Sequence, residues 1–597
     1  MTAEHIFHSR MFSFDRCTTA AVNFIYMAVA LLLLTGSSLA ANLSKSLQTS
    51  LQKDTTLNVW VYFRDRNGVR SPVKVSSRAL SRRARAGYIS NSSSLPVSKR
   101  YLDQVIEHGG RLRHEFPWDN AASFSVHASR IGEIASLPFV KYVGPVSSYL
   151  KKGDPILSKQ SSQTSVDDYH LQMTNVYSAH EYIKAKNHGE PGEGVLLAFF
   201  DSGFRFDHTV YADFKRKGRL IAQKDFVDGD NDVSDPDSVA NSLSHPYYKS
   251  DEHGTHTLSL VAGYDQGNFT GIAYGAQFAL ARTEDTPRER RVEEDNWAAA
   301  MVWAESLGVD IVSSSLGYRD GYTDSLEDYT YDDMDGLTTV VSRAAAEAVK
   351  RGVVVVNSMG NEGANTPGTI TAPADVDGVI SVGAVGRYGI IASFSSTGPT
   401  SDGRIKPDLV APGVYVSIPL IYPAGSNYSY FNGGNGTSFS TPIVAGICAL
   451  ILQATKATPE KVKQKLFASC AMTSYQTKMD NVYGRGIPDA LVACIEDEDK
   501  SVRLKVYPNV VKRDGNINFE FYPDFATRGT AFSPARIVVR AVDGRVIWTG
   551  SLYPEYQFVS RLSWNCKVNG RRIIPGMYFC TLQYGSARMA EKFMVLE

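Results

Sequence analysis

Apolar residues follow three different rhythms along this chain. From about 42 to 160 they come in short pieces. Val59–Phe63, Ser123–His127 and Val140–Val143 read as strands, while Tyr101–His108 and Ser129–Ser136 have helical spacing, the first cut short by Gly109-Gly110. That mixture predicts a small α+β unit. From about 165 to 497 the pattern changes to continuous apolar runs: Gly194–Phe200 ending at Asp201, Asp310–Ser314, Val353–Asn357 and Val379–Val385. Helical stretches such as Trp297–Leu307 and Thr338–Arg351 lie between them. Runs without alternation are strands buried on both faces, so an α/β domain is predicted: a parallel sheet covered by helices, with ligands beyond the carboxyl ends of the strands. Asp201 and Ser315 stand at such ends, and Asn361 lies a short loop beyond another. From about 501 to 597 short β stretches return, at Val502–Tyr507, Ile517–Phe521, Ala535–Val542, Arg545–Trp548, Gly576–Leu582 and Ala590–Leu596. Turns such as Asp543-Gly544 and Asn569-Gly570 separate them, and the expected architecture is a β-sandwich.

Polar stretches mark the joints. Lys152–Val166 and the charged run Glu496–Lys500 read as linkers. At the start, Arg10 and Arg16 precede an apolar run from Ala20 to Leu34, then Ser38-Leu39-Ala40-Ala41. A positive region, a short apolar region and a small-x-small site predict a signal peptide over 1–40, cut after Ala40. The run is too short to favour a membrane span. Cys17 precedes the run, so it is not the acylated cysteine of a lipoprotein.

Of the five other cysteines, Cys448 reads as a buried thiol, and Cys566 with Cys580 as a candidate pair in the last domain. The cluster Ser81-Arg82-Arg83-Ala84-Arg85 reads as a solvated helix face, with a processing site as the alternative. Overall the 597 residues are 43 % hydrophobic and 21 % charged with zero formal net charge. That is a globular composition, and it offers no electrostatic basis for a nucleic-acid partner.

One stretch draws the second domain together: Asn435-Gly436-Thr437-Ser438-Phe439-Ser440-Thr441-Pro442, followed by an apolar helix over Pro442–Leu452. A serine at such a junction lies at the positive end of a helix dipole. Thr437 or Ser440 is the expected side-chain cap of the helix. A hydroxyl becomes a nucleophile when a base takes its proton, and that base is usually a histidine held by a buried carboxylate. Asp201-Ser202-Gly203 supplies a carboxylate at a strand end. His253-Gly254-Thr255-His256 supplies histidines at the start of a helix reaching Ala262, and the pair does not match the zinc-binding H-E-x-x-H spacing.

Asp201-Ser202-Gly203, His253-Gly254-Thr255-His256 and Gly436–Pro442, in that order, resemble the three signatures of the subtilisin-like serine proteases, or subtilases. The resemblance covers the whole domain assigned to 165–497. It implies a triad of Asp201, His253 as general base and then acid, and Ser438 as nucleophile. It also implies that Asn361, in Ser358-Met359-Gly360-Asn361-Glu362-Gly363, donates to the oxyanion, and that Ser315-Leu316-Gly317 forms the groove edge pairing with an extended peptide. Pro373 and Ala374 are expected near the primary pocket. Lys406–Gly413 is a further family run with a structural role.

By pattern, 42–160 resembles a subtilase propeptide, which would act as folding chaperone and intramolecular inhibitor. The last unit, 501–597, resembles the sorting domain of type IX secretion cargo, on Asp543-Gly544-Arg545-Val546, Pro575–Phe579 and Lys592–Leu596. The expectation is therefore a secreted or surface-attached endopeptidase made as a zymogen, with protein or peptide substrates, its own propeptide and secretion machinery as partners. A catalytically silent binding or adhesion protein on the same scaffold is the alternative, and it would need a broken triad. An esterase would be expected to show G-x-S-x-G instead.

No cofactor is required by this chemistry. Asp228, Asp230 and Asp232 alternate as in a Ca²⁺ loop, although a solvated acidic loop is the first reading and the bidentate Glu of an EF-hand is missing. Glu284–Glu294 and Asp320–Gly336 fall outside the core signatures and are expected to shape specificity.

Overall fold

A computed structural model describes residues 43–44, 47–48, 55–146, 148–149, 166–234, 251–284, 292–319, 329–363, 368–421, 429–495, 503–512, 514–522, 535–552, 560–584 and 587–597. The predicted signal peptide and charged linker, and most of the 152–166 linker, lie outside these residues, as do parts of the loops at 284–294 and 320–336. The chain divides into two compact units. One comprises 1–73 with 90–147, the other 74–89 with 148–597.

The first unit is built on an antiparallel sheet of β1 (Thr56–Phe63), β2 (Arg111–Phe116), β3 (Ala121–His127) and β4 (Val140–Pro145), in the order β2-β3-β1-β4. Its core gathers Val59, Val61, Phe124 and Val126 from the sheet with Leu102, Val105, Ile131 and Ile134 from two helices, Lys99–Glu107 and Ala128–Ala135. The apolar run of β1 and the alternation of β3 made these strands legible. β2 was not foreseen. It is an edge strand with the sequence Arg-Leu-Arg-His-Glu-Phe, and charge on an edge guards it against pairing with other chains while erasing the apolar signal.

The second unit opens with a helix from within the predicted propeptide, α1 (Ser77–Arg85), and a two-residue strand, β5 (Ser148–Tyr149). Its centre is a seven-stranded sheet. The strands are β6 (Leu196–Asp201), β7 (Leu220–Asp225), β8 (Gln277–Arg282), β10 (Ile311–Ser314), β11 (Val354–Ser358), β12 (Ile380–Val385) and β13 (Leu409–Pro412). A short strand, β9 (Val292–Glu293), pairs antiparallel with β5 outside this sheet.

The order is β13-β12-β11-β10-β6-β8-β7 and all pairs are parallel. β6, β10, β11 and β12 are buried throughout, as continuous apolar runs require. The helices that matter for the site are α2 (Asp251–Ala262), α3 (Glu294–Leu307), α4 (Val340–Lys350) and α5 (Thr437–Thr455). α5 is apolar and, at 19 residues, long enough to cross a membrane, but all of its hydropathic window is buried, so it is the core helix. It forms one cluster with Leu258, Val261, Ile272, Val356 and Val382.

Four expectations change here. The helix foreseen at Pro442–Leu452 begins five residues earlier and carries Pro442 inside it. Arg82 and Arg83 are not on a solvated face: they are 1 % and 8 % exposed, because two helix ends and one acid of the same unit take up their charge. Residues 74–89 group with the catalytic unit rather than with the rest of the predicted 42–160 domain. Cys566 and Cys580 are unbonded thiols packed as small apolar groups in the core of the last region. That region has a three-stranded sheet (503–507, 517–522, 560–564) and a five-stranded sheet (510–512, 535–541, 546–552, 576–584, 587–596) around the cluster containing Phe519, Phe521, Val539 and Leu582.

Candidate active site

Asp201 ends β6, where the strand delivers a carboxylate to the carboxyl edge of the sheet and buries it to 1 % exposure. Such a charge needs donors. Oδ1 accepts from His253 Nδ1 at 2.6 Å, from the Ser202 N–H at 2.8 Å and from Ser202 Oγ at 3.2 Å; Oδ2 accepts from Thr257 Oγ1 at 3.1 Å. Four donors favour the ionised acid and fix the plane of the His253 ring.

His253 is the third residue of α2, and Thr257 lies one turn further on the same face, so one helix presents both groups to Asp201. His256 turns away into the core. Burial first, and then the charge of His253, holds it down to about 3, so this second histidine is neutral. Glu252 moves the other way, up to about 7, because burial and the neighbouring Asp251 disfavour its anion.

Ser438 is the second residue of α5 and is 2 % exposed. The turn before it depends on Gly436 at φ 145°, a value that side-chain-bearing residues rarely adopt. Phe439 meets the His253 ring edge-on at 6.0 Å, so the serine turn and the histidine helix are packed together. Ser438 Oγ donates to the Ser315 carbonyl at a long 3.4 Å. Pro442 has no N–H, so the carbonyl four residues earlier, that of Ser438, has no helical donor. Ser315 Oγ supplies one at 2.8 Å, which ties the serine turn to the strand exit at β10.

Neither Thr437 nor Ser440 caps α5. Ser440 Oγ instead donates to the carbonyls of Ala411 and Pro412. The acceptor at the helix start is Asn361 Oδ1, which takes the Thr437 N–H and the Thr437 hydroxyl, both at 3.0 Å. With its oxygen turned to Thr437, the carboxamide directs its NH₂ the other way.

Ser315, Leu316 and Gly317 follow β10. Asn357 Nδ2 donates to the Leu316 carbonyl at 2.8 Å and Ser358 Oγ does so at 3.2 Å. Alternation along an extended chain then sends the backbone groups of Ser315 and Gly317 to the opposite side. Tyr318 exchanges both backbone hydrogen bonds with Ala372, next to Pro373, and its hydroxyl reaches Glu284 at 2.7 Å.

Sequence reasoning missed Thr257, whose hydroxyl at the i+4 position from His253 was the available signal. It also missed β9, because Val292 and Glu293 sit in a polar loop without periodicity.

The acidic loop does not gather its carboxylates for a metal. Asp228 faces the Arg282 guanidinium at 2.7 Å, and Asp230 and Asp232 each accept the N–H two residues on. Among the described residues no three His, Cys, Asp or Glu side chains form a metal-holding group.

Comparison with known proteins agrees with this geometry. Residues 192–486 match the model of the subtilase family, and 58–164 match a peptidase S8 propeptide domain of Bacteroidota. Subtilisin of Bacillus pumilus is 33 % identical over 267 residues, covering 44 % of this chain and 78 % of that protein. Subtilisin E of Bacillus subtilis is 28 % identical over 369 residues, covering 61 % and 79 %. Serine protease AprX of Bacillus subtilis is 31 % identical over 345 residues, covering 50 % and 66 %. The chain belongs to the subtilase family: it is a subtilisin-like serine endopeptidase made as a zymogen with its own propeptide domain.

Proposed function

We propose that this protein is an exported endopeptidase that cleaves peptide bonds through Asp201, His253 and Ser438. In this reading Ser438 Oγ leaves the weak contact with Ser315 and gives its proton to His253 Nε2 as it attacks the scissile carbonyl carbon. The carbonyl oxygen becomes an anion and is met by the Asn361 NH₂ and the Ser438 N–H at the start of α5. Asp201, kept ionised by its four donors, stabilises the imidazolium. His253 then protonates the leaving amine, and the acyl-enzyme is hydrolysed by water with the same residue again acting as base. An extended peptide would pair with the backbone of Ser315 and Gly317. β5, paired with Val292–Glu293, is read as the part of the propeptide that lies where substrate would.

The observation that carries this reading is the 2.6 Å bond between His253 Nδ1 and a fully buried Asp201. It also disfavours the silent-scaffold alternative, which has no need of a histidine ordered on a buried carboxylate. Export through a signal peptide over 1–40 and sorting by a type IX machinery through 501–597 complete the proposal. The two sheets of the last region and its Asp543–Val546 turn support the sorting role.

A serine-directed phosphonate should label Ser438 in the processed protein, and Ser438→Ala should abolish both labelling and propeptide removal. Labelling that persists in the variant would overturn the assignment. Terminal mapping of the exported protein should find residues 1–40 and the sorting region removed, and retention of both would count against the export route.

A further inference from the structure

Residues 74–89 interrupt the first unit in sequence, yet they belong to the second in structure. They lie inside the segment that matches the propeptide model. What they meet is unusual. α3 ends at Leu307 and α4 at Lys350, and the last carbonyls of any helix have no donor of their own. At these two ends residues 76–82 add donors to those that the residues just past each helix already supply. The Ser76 N–H bonds the Ser306 carbonyl at 2.9 Å and Ser76 Oγ the Leu307 carbonyl at 2.8 Å. Arg78 Nε reaches the Gly308 carbonyl at 3.1 Å. Arg82 donates to three carbonyls: Glu305 at 3.1 Å, Val309 at 2.5 Å and Arg351 at 3.2 Å. A cation at a helix C-terminus also complements the dipole, and here one guanidinium serves two helices.

The Glu305 carboxylate completes the site. Arg83 forks onto it through Nε at 2.8 Å and Nη2 at 2.5 Å, Arg82 also contacts it, and the acid is only 2 % exposed. Arg78 contacts Asp310 beside it. The receiving surface is tight at two glycines. A Cβ on Gly308 would stand 2.6 Å from the Ala79 nitrogen, and one on Gly352 would stand 2.6 Å from the Ala86 Cβ. Tyr88 closes the end of the segment, with the Arg351 guanidinium over its ring at 4.7 Å.

We propose that the paired C-terminal ends of α3 and α4, with Glu305 between them, form a docking site for a double-arginine helix. Its occupant is α1, and this clasp holds the propeptide on the catalytic unit after the covalent link is cut. Cleavage of the linker and release of the inhibitor are then separate steps, and the second is set by Arg82, Arg83 and Glu305. This rests on reading 58–164 as an inhibitory propeptide. The test reads binding without catalysis, so it can fail independently of the triad assignment.

The full chain carrying Ser438→Ala and a foreign protease site inserted between Lys152 and Val166 is cut by that protease. Dissociation of the N-terminal fragment is then followed by size exclusion and interferometry. The fragment should stay bound at low salt. Adding Arg82→Ala with Arg83→Ala, or Glu305→Gln alone, should speed dissociation about 10²-fold, since removing one partner of a buried pair strands the other. Glu305→Gln preserves shape, and unchanged thermal unfolding of the catalytic part would separate lost docking from lost fold. Dissociation within about twofold of the parent for both variants would overturn the proposal, because about 1.4 kcal/mol already means a tenfold change. So would faster release confined to a variant that unfolds.

Discussion

At the scale of single residues, Asn361 has one observed contact and one proposed role, and the two can be separated. Its oxygen accepts the Thr437 N–H and hydroxyl, and so holds the start of α5. Its NH₂ is the group proposed to meet the oxyanion. Asn361→Asp keeps an acceptor for Thr437 and replaces the donor by an oxygen. It should leave the denaturation midpoint close to that of the parent while kcat falls by at least about 10²–10³, the loss measured for this donor in subtilisin itself. Equal loss of stability and activity would instead make Asn361 a cap only. Thr257 belongs to the same scale: its hydroxyl reaches the outer oxygen of Asp201 and helps keep that carboxylate ionised.

At the scale of elements, α5 contains a proline where a regular helix would place a donor, and the consequence falls on Ser438, the proposed nucleophile. The Ser438 carbonyl relies on Ser315 Oγ, which belongs to the exit of β10. The start of α5 and the exit of β10 are therefore tied by one hydroxyl. Ser315→Ala should cost about 1–3 kcal/mol in denaturant unfolding of the Ser438→Ala chain, the usual penalty for stranding a buried acceptor. In the active chain the rate of phosphonate labelling should fall as the serine turn loosens. A variant as stable as its parent would show that water or a shifted backbone replaces the hydroxyl.

At the scale of the whole molecule, stability should depend on acid through buried histidines. His170 is 1 % exposed, neither of its ring nitrogens has a hydrogen-bond partner among the described residues, and burial holds it down to about 4 from the usual 6.5. The folded value is depressed for a base, so the unfolded chain binds the extra proton first. The stabilising term is whole above about 6.5 and is lost as pH falls toward 4, by about 3 kcal/mol at full extent. His256 acts in the same direction, over a window reaching about 3. Urea midpoints of the Ser438→Ala chain should drop across that range, and His170→Leu should flatten the slope. A slope in His170→Leu equal to that of its parent would mean that His170 is solvated in the native protein.

The sequence by itself determined the α/β class of the second unit, because continuous apolar runs such as Val353–Val356 leave no solvent face for a strand. It also brought out Asp201, His253, Ser438 and Asn361, through their order in one domain and the resemblance of the runs around them to subtilase signatures. Only the tertiary structure decided what depends on partners far apart in the chain. The edge strands β2 and β7, half exposed, carry too little apolar signal to be read locally. Cys566 and Cys580 look like a pair in sequence but separate into one apolar core. The arginines of Ser81–Arg85 are indistinguishable from a solvated helix face until Glu305 and two helix ends, more than two hundred residues away, are brought against them. A charge is exposed or buried according to what the fold places opposite it, and that information is not local.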